Sequence, residues 1–166
     1  PNTLNTLMGI ESNYLLRIGD ATIPNNQLQV ATSVNNCTSA DLQLESGKWY
    51  HVAVAFNKGN VKVYINGVEK LSGSTGKSSV SLGAKHTNEE DGSRCFWVGY
   101  SYKDDRYFDG VVSEVRIWNR ALTAEEIQAT NHFYTIEPES EGLIAYWKFD
   151  EGSGTEIGRA SCRERV

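Results

Sequence analysis

The chain is poor in the residues that usually carry enzyme and metal chemistry. It has one methionine, three prolines, three histidines and three cysteines in 166 residues, and no CxxC pair. His51, His86 and His132 are too far apart in the chain to write a local zinc motif. No GxSxG elbow, no Cys/His pairing and no phosphate-cradling glycine loop is present, so the usual nucleophile and nucleotide signatures are missing. Long apolar runs are missing too, and none approaches the ~20 residues a membrane helix needs. Nor is there an excess of base: Lys and Arg number 16 against 21 Asp and Glu, a formal charge of -5. Nucleic acid and anionic membrane surfaces are therefore disfavoured as partners, since both need a basic face to neutralise phosphates.

The last stretch, "EIGRASCRERV", breaks with everything before it. Glu156 to Val166 supplies three arginines, a lone cysteine and no periodicity, and it resembles the in-frame translation of a short-read sequencing adapter. Residues 156–166 are therefore expected to be a non-native tail, to be set aside in reasoning about the fold. The start at Pro1, without a methionine or an apolar signal stretch, leads to the same expectation of truncation at both ends. Taking away three arginines and two glutamates moves the charge from -5 to -6. Residues 1–155 are then one mildly acidic domain, within the usual size range of roughly 100 to 150 residues. Setting Cys162 aside leaves Cys37 and Cys95 as an even pair. An oxidising compartment would join them and a reducing one would keep two thiols; the sequence leaves both open.

What the chain does have is glycine, 15 residues, and rings, with eight tyrosines and four tryptophans. In "WYHVAVAF", Tyr50, Val52, Val54 and Phe56 alternate against Trp49, His51, Ala53 and Ala55, the period of a strand with its larger face inward. "NKGN" turns the chain, and "VKVYI" puts Val61, Val63 and Ile65 on one face with Lys62 and Tyr64 on the other. Asn66-Gly67 is a strong hairpin signal, because a type I′ turn needs positive φ at both central residues. The pattern predicts an antiparallel meander over roughly 49–56, 61–65 and 68–71. Further short strands are expected in "LMGIES", "YLLRIGD", "LQVATS", "SSVSL", "CFWVGYS", "GVVSEVRIW" and "GLIAYWKFD", with "PNNQ" as a polar turn. About ten short strands with frequent turns indicate an all-β sandwich or barrel.

One helix interrupts, near 123–130. "LTAEEIQA" carries Thr123 as N-cap and Glu126 three residues on, a capping box, with Leu122 and Ile127 placed as a hydrophobic staple.

"GKWYHVAVAF", "VKVYINGVEK", "FWVGYS", "FDGVVSEVRIWNRALTAEEI" and "GLIAYWKFDEGSGT" together resemble the laminin-G-like, concanavalin A-like jelly-roll domains of secreted bacterial proteins, colinearly over about residues 8 to 155. Several segments look most like such modules in surface lipoproteins of glycan-degrading gut bacteria. The resemblance implies a two-sheet antiparallel jelly-roll sandwich, an extracellular or bacterial cell-surface location, and frequent carbohydrate binding. It further implies that Trp49 fills the core at a strand start, that Gly67 makes a turn, and that Trp118 with Asn119 anchors the chain entering the helix.

Some glucanases of this fold carry an ExDxxE strand motif, whose chemistry needs two carboxyl groups about 5 to 5.5 Å apart. No such motif is present; the nearest acidic cluster, "TNEEDGSR", offers Glu89 and Asp91 but has Arg94 where a third acid would stand. Related glucanases also place an aspartate in a D-x-V-R pattern at a calcium site, where this chain has Ser113. A structural calcium, if one is held, would fall to Asp104, Asp105 and Asp109 in "SYKDDRYFDG". The same loop is the candidate glycan rim. Tyr102 and Tyr107 offer flat faces to a pyranose, and Asp104, Asp105 and Arg106 can bond vicinal hydroxyls; Trp97 would join if it faces outward. The expected function is a noncatalytic module for polysaccharide or glycoprotein glycans, needing no cofactor. The rival readings are a protein-interaction or adhesion module, and a glycoside hydrolase of this fold class.

Overall fold

The computed structural model describes residues 5–10, 13–20, 23–33, 36–41, 44–80, 96–100, 106–129, 134 and 136–153, with the side chains of 20, 23–26, 33 and 36–41 left aside. Ten strands and one short helix make up the described chain: β1 (Asn5–Ile10), β2 (Tyr14–Asp20), β3 (Ile23–Ser33), β4 (Asn36–Asp41), β5 (Val52–Asn57), β6 (Asn60–Ile65), β7 (Val68–Ser74), β8 (Trp97–Val98), β9 (Val115–Trp118), α1 (Ala124–Gln128) and β10 (Leu143–Trp147). They form a five-stranded sheet in the order β4-β3-β2-β1-β8, a three-stranded sheet β5-β6-β7 and a two-stranded ladder β10-β9. All pairings are antiparallel. This is the expected all-β jelly-roll sandwich with one short capped helix. No described helix is long and apolar enough to cross a membrane.

The meander forms where alternation predicts it. Asn57 pairs with Asn60 and Ile65 with Val68, so each connection is a two-residue loop. Lys58 and Gly59 have φ of 50° and 91°, Asn66 and Gly67 of 49° and 77°. Positive φ at both central positions gives each loop the primed-turn twist that suits a hairpin. Val61 and Val63 are fully buried and Ile65 nearly so, and they pack on Leu16, Leu28 and Val30 of the larger sheet. Burial of each such side chain stabilises by roughly 1.5–3 kcal/mol. Tyr14 meets Phe56 edge-on at 6.0 Å, and the Lys77 ammonium donates to the Thr32 carbonyl at 3.2 Å, so both ring packing and a charge-assisted hydrogen bond cross between the sheets.

Several expectations are corrected, and one strand appears that none foresaw. The first strand of the meander begins at Val52, and Trp49 is 68 % exposed instead of filling the core. Tyr64 lies with Lys62 on the face opposite Val61, Val63 and Ile65, as expected, and is itself buried at 2 % exposure; its hydroxyl lies 3.4 Å from Glu69 Oε2 and also feels the charge of Glu125 at the start of α1. "PNNQ" lies within β3, where Ile23 pairs with Asp20 and Gln27 with Asp41 and a register irregularity spans the residues between. The polar segment "NCTSAD" forms the edge strand β4, although nothing in its pattern alternates. "SSVSL" is no strand over its described residues 78–80.

Leu15 and Leu16 are adjacent yet both buried, so both faces of β2 are covered. Gly9, with φ 132°, lets β1 lie close on β2: a Cβ there would come within 2.2 Å of the Tyr14 carbonyl oxygen. The helix is capped as read. Thr123 Oγ1 accepts from Glu126 N–H at 3.2 Å, and Thr123 N–H donates to Glu126 Oε2 at 2.7 Å. Arg120 clamps the Glu126 carboxylate with two bonds of 2.9 and 2.7 Å and lies over the Trp118 ring at 5.8 Å. Asn119 N–H donates to the Gly142 carbonyl at 2.9 Å, which fits the anchoring expected of the Trp118-Asn119 pair.

Candidate functional site

The expected rim lies beside the edge strand β8. The two β8 residues pair with β1, Met8 with Val98 and Gly9 with Trp97, and Gly99 N–H extends the ladder by donating to the Leu7 carbonyl at 2.8 Å. The chain returns at residues 106–110, where Phe108 N–H donates to the Gly99 carbonyl at 2.9 Å. That bond sets the two segments side by side and brings three rings into contact. Trp97 and Tyr100 meet edge-on with centroids 5.0 Å apart, and Tyr100 and Tyr107 lie tilted by 32° at 4.8 Å. Tyr107 stands outermost at 58 % exposure, with Arg106 half-buried and Asp109 exposed beside it.

Of the expected rim residues, Arg106 and Tyr107 are thus described, while Tyr102, Asp104 and Asp105 lie outside the described residues. Asp109 is the one described member of the expected calcium set, and among the described residues no three His, Cys, Asp or Glu side chains cluster as a metal site. Cys95 lies outside the described residues and the Cys37 side chain is left aside. Glu89, Asp91 and Arg94, like the tail 156–166, also lie outside them.

Behind the rim a cleft of about 520 Å³ opens between β8 and the end of β10, walled by Phe96, Trp97, Phe108, Val112, Trp147 and Phe149. Among the described residues, no lining side chain is ionisable. Phe96 and Trp147 lie nearly parallel, 6.4 Å between centroids. Trp97 belongs to both places, since it touches Tyr100 and also walls the cleft.

A polar cluster secures the strand ends next to the cleft. The Lys148 carbonyl accepts from Glu114 N–H at 3.2 Å and from the Ser113 hydroxyl at 2.9 Å. The Ser113 hydroxyl therefore joins the two strand ends. Glu114 takes φ 57° and Phe149 φ 56°, a left-handed conformation that costs a non-glycine residue of order 1 kcal/mol or more. Glu114 Oε2 compensates by accepting from Arg116 Nη2 at 2.9 Å and from the Tyr146 hydroxyl at 2.5 Å. The Arg116 side chain is only 7 % exposed and lies over the Tyr146 ring at 5.5 Å.

Sequence reasoning did not single out Tyr100, Phe108, Trp147 or Phe149. The available signal was ring density, since "FWVGY", "YF" and "YWKF" carry most of the rings that the fold gathers here.

A human protein, adhesion G-protein coupled receptor D1, is 34 % identical over 85 residues, which is 48 % of this chain and 8 % of the receptor. A Bacteroides ovatus protein proposed to bind carbohydrate superposes over 97 % of this chain and 45 % of its own, with a TM-score of 0.76 and 29 % identity. An S-layer domain-containing protein from Clostridium thermocellum matches loosely, with a TM-score of 0.39 and 20 % identity over 76 % of this chain and 62 % of its own. The chain thus spans less than a tenth of the receptor and under half of the Bacteroides protein. The sequence profile of a laminin G family matches residues 3–128, and with that share of its length matched the chain belongs to the concanavalin A-like lectin/glucanases superfamily.

Proposed function

We propose that this chain is a noncatalytic glycan-binding module of a bacterial protein that is secreted or displayed on the cell surface, and that it holds a polysaccharide or a glycoprotein glycan at the Tyr107 rim. The observation that carries this is the exposed Tyr107 ring, backed by Tyr100 and Trp97 and flanked by a guanidinium and a carboxylate. A pyranose presents an apolar C–H face suited to such a ring, and its vicinal hydroxyls suit the bonding geometry of Arg106 and Asp109. Tyr102, Asp104 and Asp105 of the same sequence segment are proposed to contact the glycan as well. The structural likeness to a protein proposed to bind carbohydrate supports the reading. A glycan array followed by isothermal titration tests it: Tyr107→Ala or Arg106→Ala should weaken binding about tenfold while the melting temperature holds. Unchanged affinity for a confirmed ligand would remove the site. Sugar release from a polysaccharide panel would restore the hydrolase reading.

A second reading, protein adhesion, rests on a different place. Trp49 and Val68 are 68 % and 56 % exposed, and both lie near the Asn66-Gly67 turn. Binding to a protein surface that survives removal of its glycans and is lost in Trp49→Ala would favour it.

A further inference from the structure

We infer that Tyr100 is a positioning residue of the proposed glycan site: it leaves the sugar to Tyr107 and fixes the plane of the Tyr107 ring. This rests on the reading of the rim as a glycan site and names the residue that makes its exposed ring a usable platform.

An exposed tyrosine by itself is a poor platform. A surface side chain changes rotamer within picoseconds to nanoseconds, and stopping that motion on binding subtracts from affinity. Tyr107 is 58 % exposed, so the sandwich core does not hold it. What holds it is a neighbour. The Tyr100 ring lies 4.8 Å away, centroid to centroid, with the planes tilted by 32°, a spacing within the favourable range for paired rings.

Tyr100 can serve as a fixed backing because it is fixed in turn. It is half-buried, and Trp97 meets it at 5.0 Å with the planes at 87°, the edge-to-face arrangement that ring quadrupoles favour. Trp97 belongs to β8 and pairs with Gly9 of β1. The main chain is pinned at the same place: Gly99 N–H donates to the Leu7 carbonyl at 2.8 Å, and the Gly99 carbonyl accepts from Phe108 N–H at 2.9 Å. The chain neighbours of Tyr100 and Tyr107 are thereby bonded to each other and to the sheet. Order passes outward from β1 through Trp97 and Tyr100 to Tyr107 for as long as β8 stays paired. Exposure follows the same path, with Trp97 and Tyr100 half-buried and Tyr107 exposed.

A residue that acts through another leaves a signature, because its removal costs nothing once the other is gone. A residue that touched the sugar itself, or that only supported the fold, would show additive losses.

The test starts from a glycan array that includes cello-, manno- and chitohexaose, followed by isothermal titration of the oligosaccharide that wild type binds most tightly. Tyr100→Ala should weaken binding about threefold to tenfold, mainly as a less favourable entropy, and Tyr100→Phe should restore it. Tyr107→Ala should bind equally weakly with and without Tyr100→Ala. Tyr100→Leu, which keeps apolar bulk without a flat ring, replaces the alanine variant if that one unfolds. In the free protein, NMR should show the Tyr107 ring protons losing their ring-current displacement in Tyr100→Ala. Additive losses in the double variant, a phenylalanine variant as weak as alanine, or Tyr107 ring-proton shifts that do not move overturn this inference and leave the Tyr107 site standing. A Tyr107→Ala protein that binds like wild type, or an array with no bound glycan, overturns both.

Discussion

Asn66 and His51 hold each other through two hydrogen bonds of equal length: Asn66 N–H donates to the His51 carbonyl at 2.9 Å, and His51 N–H donates to Asn66 Oδ1 at 2.9 Å. The turn residue is therefore also the latch that fixes where the chain enters β5. Asn66→Gly keeps the positive φ and loses the side-chain acceptor, while Asn66→Ala loses both. Thermal or denaturant unfolding should show a loss of about 1 kcal/mol for the glycine variant and about 2 kcal/mol for the alanine variant. Equal losses would mean that φ contributes nothing at this position.

Glu114 bridges Arg116 and Tyr146 where both partners are largely buried. Glu114→Ala leaves the guanidinium without that carboxylate in a site only 7 % exposed, a change that typically costs about 3–5 kcal/mol. Glu114→Gln keeps an acceptor and should cost less. Urea unfolding of the two variants checks the order, and a glutamine variant no better than alanine would show that the oxygen's position is irrelevant.

Glu125 lies in the first turn of α1, and its carboxyl is held below the ordinary value of 4.5 by its own main-chain N–H and then by the Thr123 hydroxyl. A group whose folded-state pKa is depressed stabilises the fold above its unfolded value, and that contribution disappears as pH falls through the folded one. Wild type should therefore exceed Glu125→Gln in stability at neutral pH, and the gap should close below pH 4.5. A gap that persisted at pH 2 would assign it to some other cause.

Calcium is expected to be dispensable to glycan binding, since stacking on Tyr107 and hydrogen bonds from Arg106 need no metal. EDTA should leave both the array pattern and the melting temperature unchanged. A melting temperature that falls with EDTA and recovers with calcium would assign the ion to Asp104, Asp105 and Asp109.

The meander, its two tight turns and the capping box were legible in the sequence because each is a local code: alternation, a two-residue turn dipeptide and a three-residue cap spacing. Trp49 was misplaced because its core position came from the family resemblance, whereas the chain's own core-facing alternation reaches back only to Tyr50 and leaves Trp49 on the other face. Edge strand β4 was illegible because small polar residues pair through the main chain, which leaves no side-chain pattern. The cleft could not be read at all. Its walls come from residues 96–99, 108–112 and 147–149, and only tertiary pairing makes them neighbours.

Among the described strand pairings of the two sandwich sheets, every one joins strands consecutive in the chain except β1 with β8. That seam closes some ninety residues of chain through two residue pairs, together with the Gly99 to Leu7 bond, and closing a long loop carries the larger entropy cost. The rings of the proposed binding face therefore hang from the longest-range stitch among the described strand pairings. In hydrogen exchange the amide of Gly99 should open well before those of Val61 and Val63, so that the face can rearrange around a ligand while the sandwich stays closed. Protection at Gly99 equal to that at Val63 would show that the seam opens only when the whole domain does.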